Sequence, residues 1–227
     1  MGANQEHLVV TGCQAISRTL EANQDMTRLK IGLPMDRPVV LLATSPIKLE
    51  DRKHYTRVFC NATSRMPEMT AIVRLHPAEN IGEYQELVEE FPRVAFLPND
   101  VMSRDESLAA ADIVVNHESS FGTDALLKGK LVVILDVLST PLKAGKELIE
   151  MAGCPSVQNA DELESVIRKI FADECLRNEL HAKAEQYALQ YCDSYGQDAV
   201  NNVCRVIDHA IENRENEDRI GIDNAGD

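Results

Sequence analysis

Apolar residues in this chain come in two spacings, and the two alternate. Short continuous runs rich in Val, Ile and Leu occupy residues 39–43, 70–75, 94–97, 112–115 and 131–135, each followed within two residues by Thr, Pro, Asn or Asp. Runs of that length, bounded by turn-forming residues, predict buried strands. Between them, residues 51–64, 83–91, 103–110 and 120–128 carry apolar positions three or four apart, which predicts helices. Strand and helix in strict alternation predict an α/β protein, a Rossmann-like doubly wound parallel sheet with helices on both faces and right-handed crossovers.

The helix predicted from Ser120 is well punctuated, with serines at its start, Lys128 in its last turn and Gly129 just beyond. After the fifth strand the pattern becomes helical, over 161–191 and 197–213, with Leu163, Val166, Ile167, Ile170 and Phe171 on one stripe. These are expected to cover the sheet. Ahead of the first full unit, residues 7–12 read as a strand ending in a turn, and 14–22 as a helix. The expected organisation is therefore a crossover strand and helix over 1–37, a Rossmann-like domain with its C-terminal helices over 38–213, and a disordered acidic tail over 214–227.

Composition adds bounds. Hydrophobic residues make up 44%, aromatics only 4%, and Trp is absent, so the core must be aliphatic, as buried parallel strands prefer. The formal charge of −14 argues against a nucleic-acid partner, because such a surface repels a polyanion. A single positive cleft for one small anion is still open to it. The six cysteines contain no C-x-x-C pair and are expected to be small buried hydrophobes in a reducing compartment. No stretch resembles a signal peptide or is apolar enough to span a bilayer, so a cytoplasmic location is expected.

In open α/β sheets ligands sit beyond the carboxyl ends of the strands. There the sequence places Thr44 and Ser45, then His76 and Pro77, then 98–100, and finally Asn116 through Asp124. Strand alternation puts Arg74 and His76 on one side. Ser119 and Ser120 open a helix, where backbone N–H groups attract a phosphate. Taken alone, one of them is better explained as an N-cap, and the two roles are compatible. His76 either donates to a phosphate and protonates a leaving group, or is satisfied by nearby backbone. His117 either lines the same cleft or closes a strand end. Asp124, one turn into the helix, either meets a ribose diol or only favours the helix dipole. There is no G-x-G-x-x-G, Walker loop, H-E-x-x-H or G-x-S-x-G, and no D-x-D to hold a metal against a diphosphate. A metal-independent diphosphate site is the expectation.

Two segments resemble a known family. "IVRLHP" at 72–77 resembles the HP motif of bacterial GT-B glycosyltransferases, and "AADIVVNHESSFGTDALLKGKLVVILD" at 110–136 resembles their later Ser-Ser segment. Capsule and cell-surface polysaccharide transferases share this pairing. "VVTG" at 9–12 resembles the crossover into their C-terminal, nucleotide-sugar-binding domain. The resemblance implies one half of a GT-B fold with His76 as the catalytic residue at the donor phosphate. Ser119 and Ser120 would hold that phosphate, Asp124 the ribose, 97–102 the base, and Thr44 and Ser45 would form the first phosphate loop. It implies a nucleotide-sugar as substrate, with a pyrimidine base, and no cofactor. "HESS" departs from the "DYSS" of glycerophosphotransferases and the "DSGG" of UDP-GlcNAc 2-epimerases. Nothing corresponds to the acceptor-binding N-terminal half, so that half is expected in cis or trans and the chain alone is expected to be inactive. The alternatives are half of an NDP-sugar 2-epimerase, which should line its cleft with more acids and arginines, and a non-catalytic nucleotide- or sugar-sensing module.

Overall fold

The computed structural model describes residues 8–13, 22–138, 143–191 and 194–223. In chain order the elements are α1 (Gln24–Lys30), β1 (Val39–Ala43), α2 (Leu49–Ser64), β2 (Thr70–Arg74), a 3-10 turn (Ile81–Tyr84), α3 (Gln85–Glu90), β3 (Val94–Leu97), α4 (Arg104–Ala110), β4 (Ile113–Asn116), α5 (Ser120–Leu127), β5 (Leu131–Leu135), α6 (Ala144–Ala152), β6 (Ser156–Val157), α7 (Ala160–Ala172), α8 (Glu174–Tyr191) and α9 (Gly196–Asp223). The chain divides into two units, residues 18–189 and residues 1–17 with 190–227.

The larger unit holds a six-stranded, all-parallel sheet in the order β3-β2-β1-β4-β5-β6. It is a Rossmann-like doubly wound fold. Strand β1 is buried on both faces, which is why its five residues read as an unbroken apolar run. Val40 and Leu42 pack with Tyr55 and Phe59 of α2, Leu87 of α3 and Leu163 and Ile167 of α7. Val39, Leu41 and Ala43 face the other layer, with Leu108 of α4, Phe121 and Ala125 of α5, Leu148 of α6 and Tyr187 of α8. The order reverses between β1 and β4, so a crevice opens at their carboxyl ends.

Local chemistry sets the helix ends. Ser103 and Glu106 form a reciprocal capping box at α4, and Ser119 caps α5 by accepting the Phe121 N–H. Gly129 follows α5 at φ 72°, a left-handed residue that glycine adopts without a steric penalty. Gly122, in the first turn of α5, has a different reason: a Cβ there would lie 2.6 Å from Asn116 Nδ2, so α5 sits close on β4 only because this residue lacks one.

The smaller unit ties Cys13 to Ser194 through a backbone hydrogen bond of 3.1 Å, and Asn202 Nδ2 donates to Thr11 O and Ser194 Oγ. Along α9, Val203, Val206, Ile207 and Ile211 are exposed.

Several expectations need correction. Residues 8–12 form no strand; Leu8, Val9 and Val10 are exposed, and only Cys13 makes an isolated bridge, to Tyr195. The predicted helix over 14–22 falls almost wholly on 14–21, outside the described residues. The helix predicted over 161–191 is two helices. Asp173 parts them, its Oδ1 accepting the Leu176 N–H. The segment 83–91 is likewise split into the 3-10 turn and α3, with Asn80 capping the turn. Helix α9 continues to Asp223, where residues from 214 were expected to be disordered. The cysteines are not uniformly buried: Cys60 and Cys154 are, while Cys175 and Cys204 are exposed and Cys13 is intermediate. Cys192 lies outside the described residues.

Candidate functional site

A cavity of about 390 Å³ lies at the strand-order switch, beyond the carboxyl ends of β1, β2 and β4. Its walls include Thr44 after β1, Arg74 and His76 at the end of β2, Asn99 after β3, Arg104 at the start of α4, and Ser119, Ser120 and Phe121 at the start of α5. Of the seven candidate catalytic and substrate-binding residues Thr44, Ser45, Arg74, His76, Ser119, Ser120 and Asp124, five gather here: Thr44, Arg74, His76, Ser119 and Ser120.

Arg74 is the most unusual of them. It is 7% exposed, yet among the described residues no carboxylate pairs with it. Its Nη2 donates to Asn99 Oδ1 at 2.5 Å, its Nε is buried without a partner, and its Cζ lies 5.4 Å from the Phe121 ring centroid. Burial, and then repulsion from Arg104, pull its pKa below the ordinary value. A buried cation without a counter-charge is costly unless an anion completes it. The first turn of α5 points partial positive charge at the same space.

His76 is fixed by backbone. Its N–H donates to Thr44 Oγ1 at 2.8 Å, and its Nδ1 accepts the Ala78 N–H at 3.1 Å. The backbone reading holds, since the ring accepts from local backbone on one side; the residue also lines the cavity.

Other residues stand elsewhere. Ser45 is 2% exposed and outside the cavity, its N–H donating to the Tyr55 hydroxyl. Thr44 lines the cavity and Ser45 does not, so the two residues after β1 do not share one direction. His117 is buried on the opposite layer, stacked on Tyr55 at 5.4 Å with Nδ1 against Leu135 O. Asp124 does not reach the cavity wall; it forms an ion pair with Arg104 Nε. Arg104 also donates to Ser120 Oγ at 3.3 Å and lies 5.5 Å from the Phe121 ring. Sequence reasoning passed over Arg104, although the Ser103-x-x-Glu106 pattern places it at the first position of α4, on the binding edge. Glu118 accepts the N–H groups of Lys143 and Gly145 and so caps α6. Among the described residues no group of three or more His, Cys, Asp or Glu is placed to hold a metal ion, and no helix is long and apolar enough to cross a membrane.

No protein-family model and no curated protein sequence matches the chain. Solved structures do. A putative UDP-N-acetylglucosamine 2-epimerase from Listeria monocytogenes superposes with TM-score 0.64 at 17% identity, covering 93% of this chain and 56% of its own. WaaG, a glycosyltransferase of lipopolysaccharide biosynthesis, matches with TM-score 0.53 at 21% identity, over 76% of this chain and 50% of its own. The C-terminal domain of a group 1 glycosyl transferase, LpcC from Francisella tularensis, matches with TM-score 0.50 at 17% identity, over 80% and 95%. The chain thus spans about half the length of the first two and nearly all of the isolated domain. These likenesses establish the fold, that of one Rossmann-like half of a GT-B protein.

Proposed function

We propose that this chain is the donor-binding half of a GT-B glycosyltransferase and that the cavity at the switch point takes the diphosphate of a nucleotide-sugar. The observation that carries the reading is Arg74: a buried guanidinium with no carboxylate partner among the described residues, lining a cavity that also receives the N-terminus of α5. In this reading Arg74, Ser119, Ser120 and the α5 backbone hold the phosphates and stabilise the charge that grows as the sugar departs. His76 donates to the leaving phosphate. Thr44 shapes the floor, and the 97–102 loop meets a pyrimidine base. Asp124 stays paired with Arg104 and in this reading leaves the ribose to other groups. The nucleotide-sugar is substrate, and neither a metal nor a further cofactor takes part.

The acceptor-binding half is supplied in cis or trans, and this chain alone does not turn over. The exposed stripe of Val203, Ile207 and Ile211 on α9 is the kind of surface that a further domain covers. The protein works in the cytoplasm, on surface polysaccharide or glycoconjugate synthesis. Half of a 2-epimerase is the weaker reading, because among the described residues no carboxylate lines the cavity: Glu118 caps α6 and Asp124 is paired. A sensing module would bind nucleotide with no partner at all.

The test is a thermal-shift panel of UDP, CDP, CMP, GDP and their sugars, on the wild type and on His76→Ala. A ligand at about a hundred times its dissociation constant stabilises by roughly 2.7 kcal/mol. In a protein of this size that raises Tm by about 5–10 °C. A rise with one pyrimidine nucleotide that is lost in His76→Ala supports the donor site. No rise with any of them rejects it for this chain.

A further inference from the structure

Resting on the donor-site reading, we propose that Glu79 is a positioning residue of that site, a buried carboxylate that clamps the turn after β2 so that His76 presents Nε2–H to the ligand.

Glu79 has its side chain 1% exposed. Its Oε2 accepts from Thr44 Oγ1 at 2.6 Å, from Tyr84 OH at 2.9 Å and from the His76 N–H at 3.3 Å. Its Oε1 faces Arg52 Nη1 at 3.3 Å. One carboxylate thereby joins the end of β1, the turn after β2, the 3-10 turn and helix α2. The Thr44 hydroxyl that donates to Glu79 is also the one that accepts the His76 N–H. Burial, and then the neighbouring Glu79 charge, push the Tyr84 hydroxyl above its ordinary pKa, so it stays a donor.

The consequence falls on the imidazole. The Glu79 N–H closes the turn on His76 O at 2.9 Å, which brings the Ala78 N–H onto His76 Nδ1. A ring nitrogen that accepts from an amide carries no proton in the neutral ring, so the proton sits on Nε2. His76 is thus set as a donor to an anionic oxygen. Stability alone does not call for such a carboxylate, since well-packed apolar groups commonly replace buried ion pairs without loss. Holding the His76 turn does.

The experiment uses the full chain labelled with 15N. Ring correlations give the tautomer of His76, amide exchange gives the protection of its N–H, and calorimetry gives the affinity for UDP. In the wild type His76 is expected as the Nε2–H tautomer with a protected amide. In Glu79→Ala the ring should exchange between tautomers, the His76 amide should lose protection, and UDP affinity should fall about tenfold or more, as misplaced binding groups do. Glu79→Gln, which keeps an acceptor, should fall between the two. A Glu79→Ala variant with the ring, amide and affinity of the wild type overturns the proposal. Wild type that binds no nucleotide overturns the donor-site reading instead, and the ring and amide signals still judge the clamp. Should Glu79→Ala not fold, Tyr84→Phe removes one donor from the same carboxylate and must shift the same signals in the same direction; unchanged signals there overturn the clamp.

Discussion

Arg104 of α4 and Asp124 of α5 are joined by an ion pair beside the cavity, with the same guanidinium reaching Ser120 Oγ. The pair couples two helices whose N-termini both face the binding edge. The Asp124 carboxylate would otherwise stand near the α5 N-terminus as an unbalanced negative charge. Arg104→Ala is expected to weaken binding of UDP by about tenfold, equivalent to about 1.4 kcal/mol. Asp124→Ala in that background should restore part of the loss, and a double-mutant cycle by calorimetry measures the coupling. Fold stability should change little, since an ion pair this accessible contributes about 0.2–1 kcal/mol. Equal loss in the single and double variants would mean that Arg104 acts on the ligand directly and not by neutralising Asp124.

A second prediction concerns acid. Lys30, and then the Ser103 backbone N–H, hold the Glu106 carboxyl down from about 4.5 to about 2. A group depressed in the folded state contributes stability that is present above its unfolded pKa and lost as pH falls through the folded value. The window runs from about 4.5 down to about 2. Lys30 is more than half exposed, so solvent screening reduces the effect, and the capping box supplies about 1 kcal/mol of what remains. Glu106→Ala should lose that amount at pH 7, and the difference from wild type should shrink across the same window. Urea unfolding at several pH values checks this; a constant difference down to pH 2 would contradict it.

The sheet was largely legible because β1, β4 and β5 are buried on both faces, and such strands leave continuous apolar runs. Strand β6 has two residues, too few for any pattern, and α6 starts after Lys143, which makes no side-chain cap. The exposed residues 8–12 misled because Leu-Val-Val reads as a strand whether or not a neighbour pairs with it. In the site, alternation placed Arg74 and His76 together, since both project from one strand end. Ser45 was placed only by its position after β1, and it is buried outside the cavity with its N–H on the Tyr55 hydroxyl. Arg104, Phe121 and Asn99 meet Arg74 only through the packing of α4 and α5 on β1 and β4, and that proximity has no local signature. Glu79 lay further out of reach, because it acts through Thr44, Tyr84 and the backbone of His76.

Gly122 tests whether the site depends on how closely α5 sits on β4. Alanine would gain helix propensity of up to about 1 kcal/mol. Its Cβ, however, would meet Asn116 Nδ2 at 2.6 Å and Leu148 Cδ1 at 2.9 Å, and overpacking of this kind costs about 1–3 kcal/mol. The net expectation for Gly122→Ala is a Tm lower by a few degrees, with weaker nucleotide binding as the α5 N-terminus moves outward. A variant as stable as wild type that binds equally well would show that Asn116 and Leu148 yield freely.

Arg74→Met separates function from stability most directly. The guanidinium is buried, keeps one side-chain hydrogen bond to Asn99, and lies against Phe121 with no carboxylate partner among the described residues. Methionine fills a similar volume, retains contact with the ring and removes the desolvated charge, a kind of exchange that is often neutral or stabilising. The free protein is therefore expected to melt at the same temperature or a few degrees higher. Charge-assisted hydrogen bonds to a phosphate contribute about 1.5–3 kcal/mol, so affinity for UDP should fall by about tenfold to a hundredfold. Those two changes have opposite signs, which a purely structural arginine cannot produce. A loss of stability with nucleotide affinity intact would assign Arg74 to holding the β3–α4 loop through Asn99, and would remove the observation on which the anion site rests.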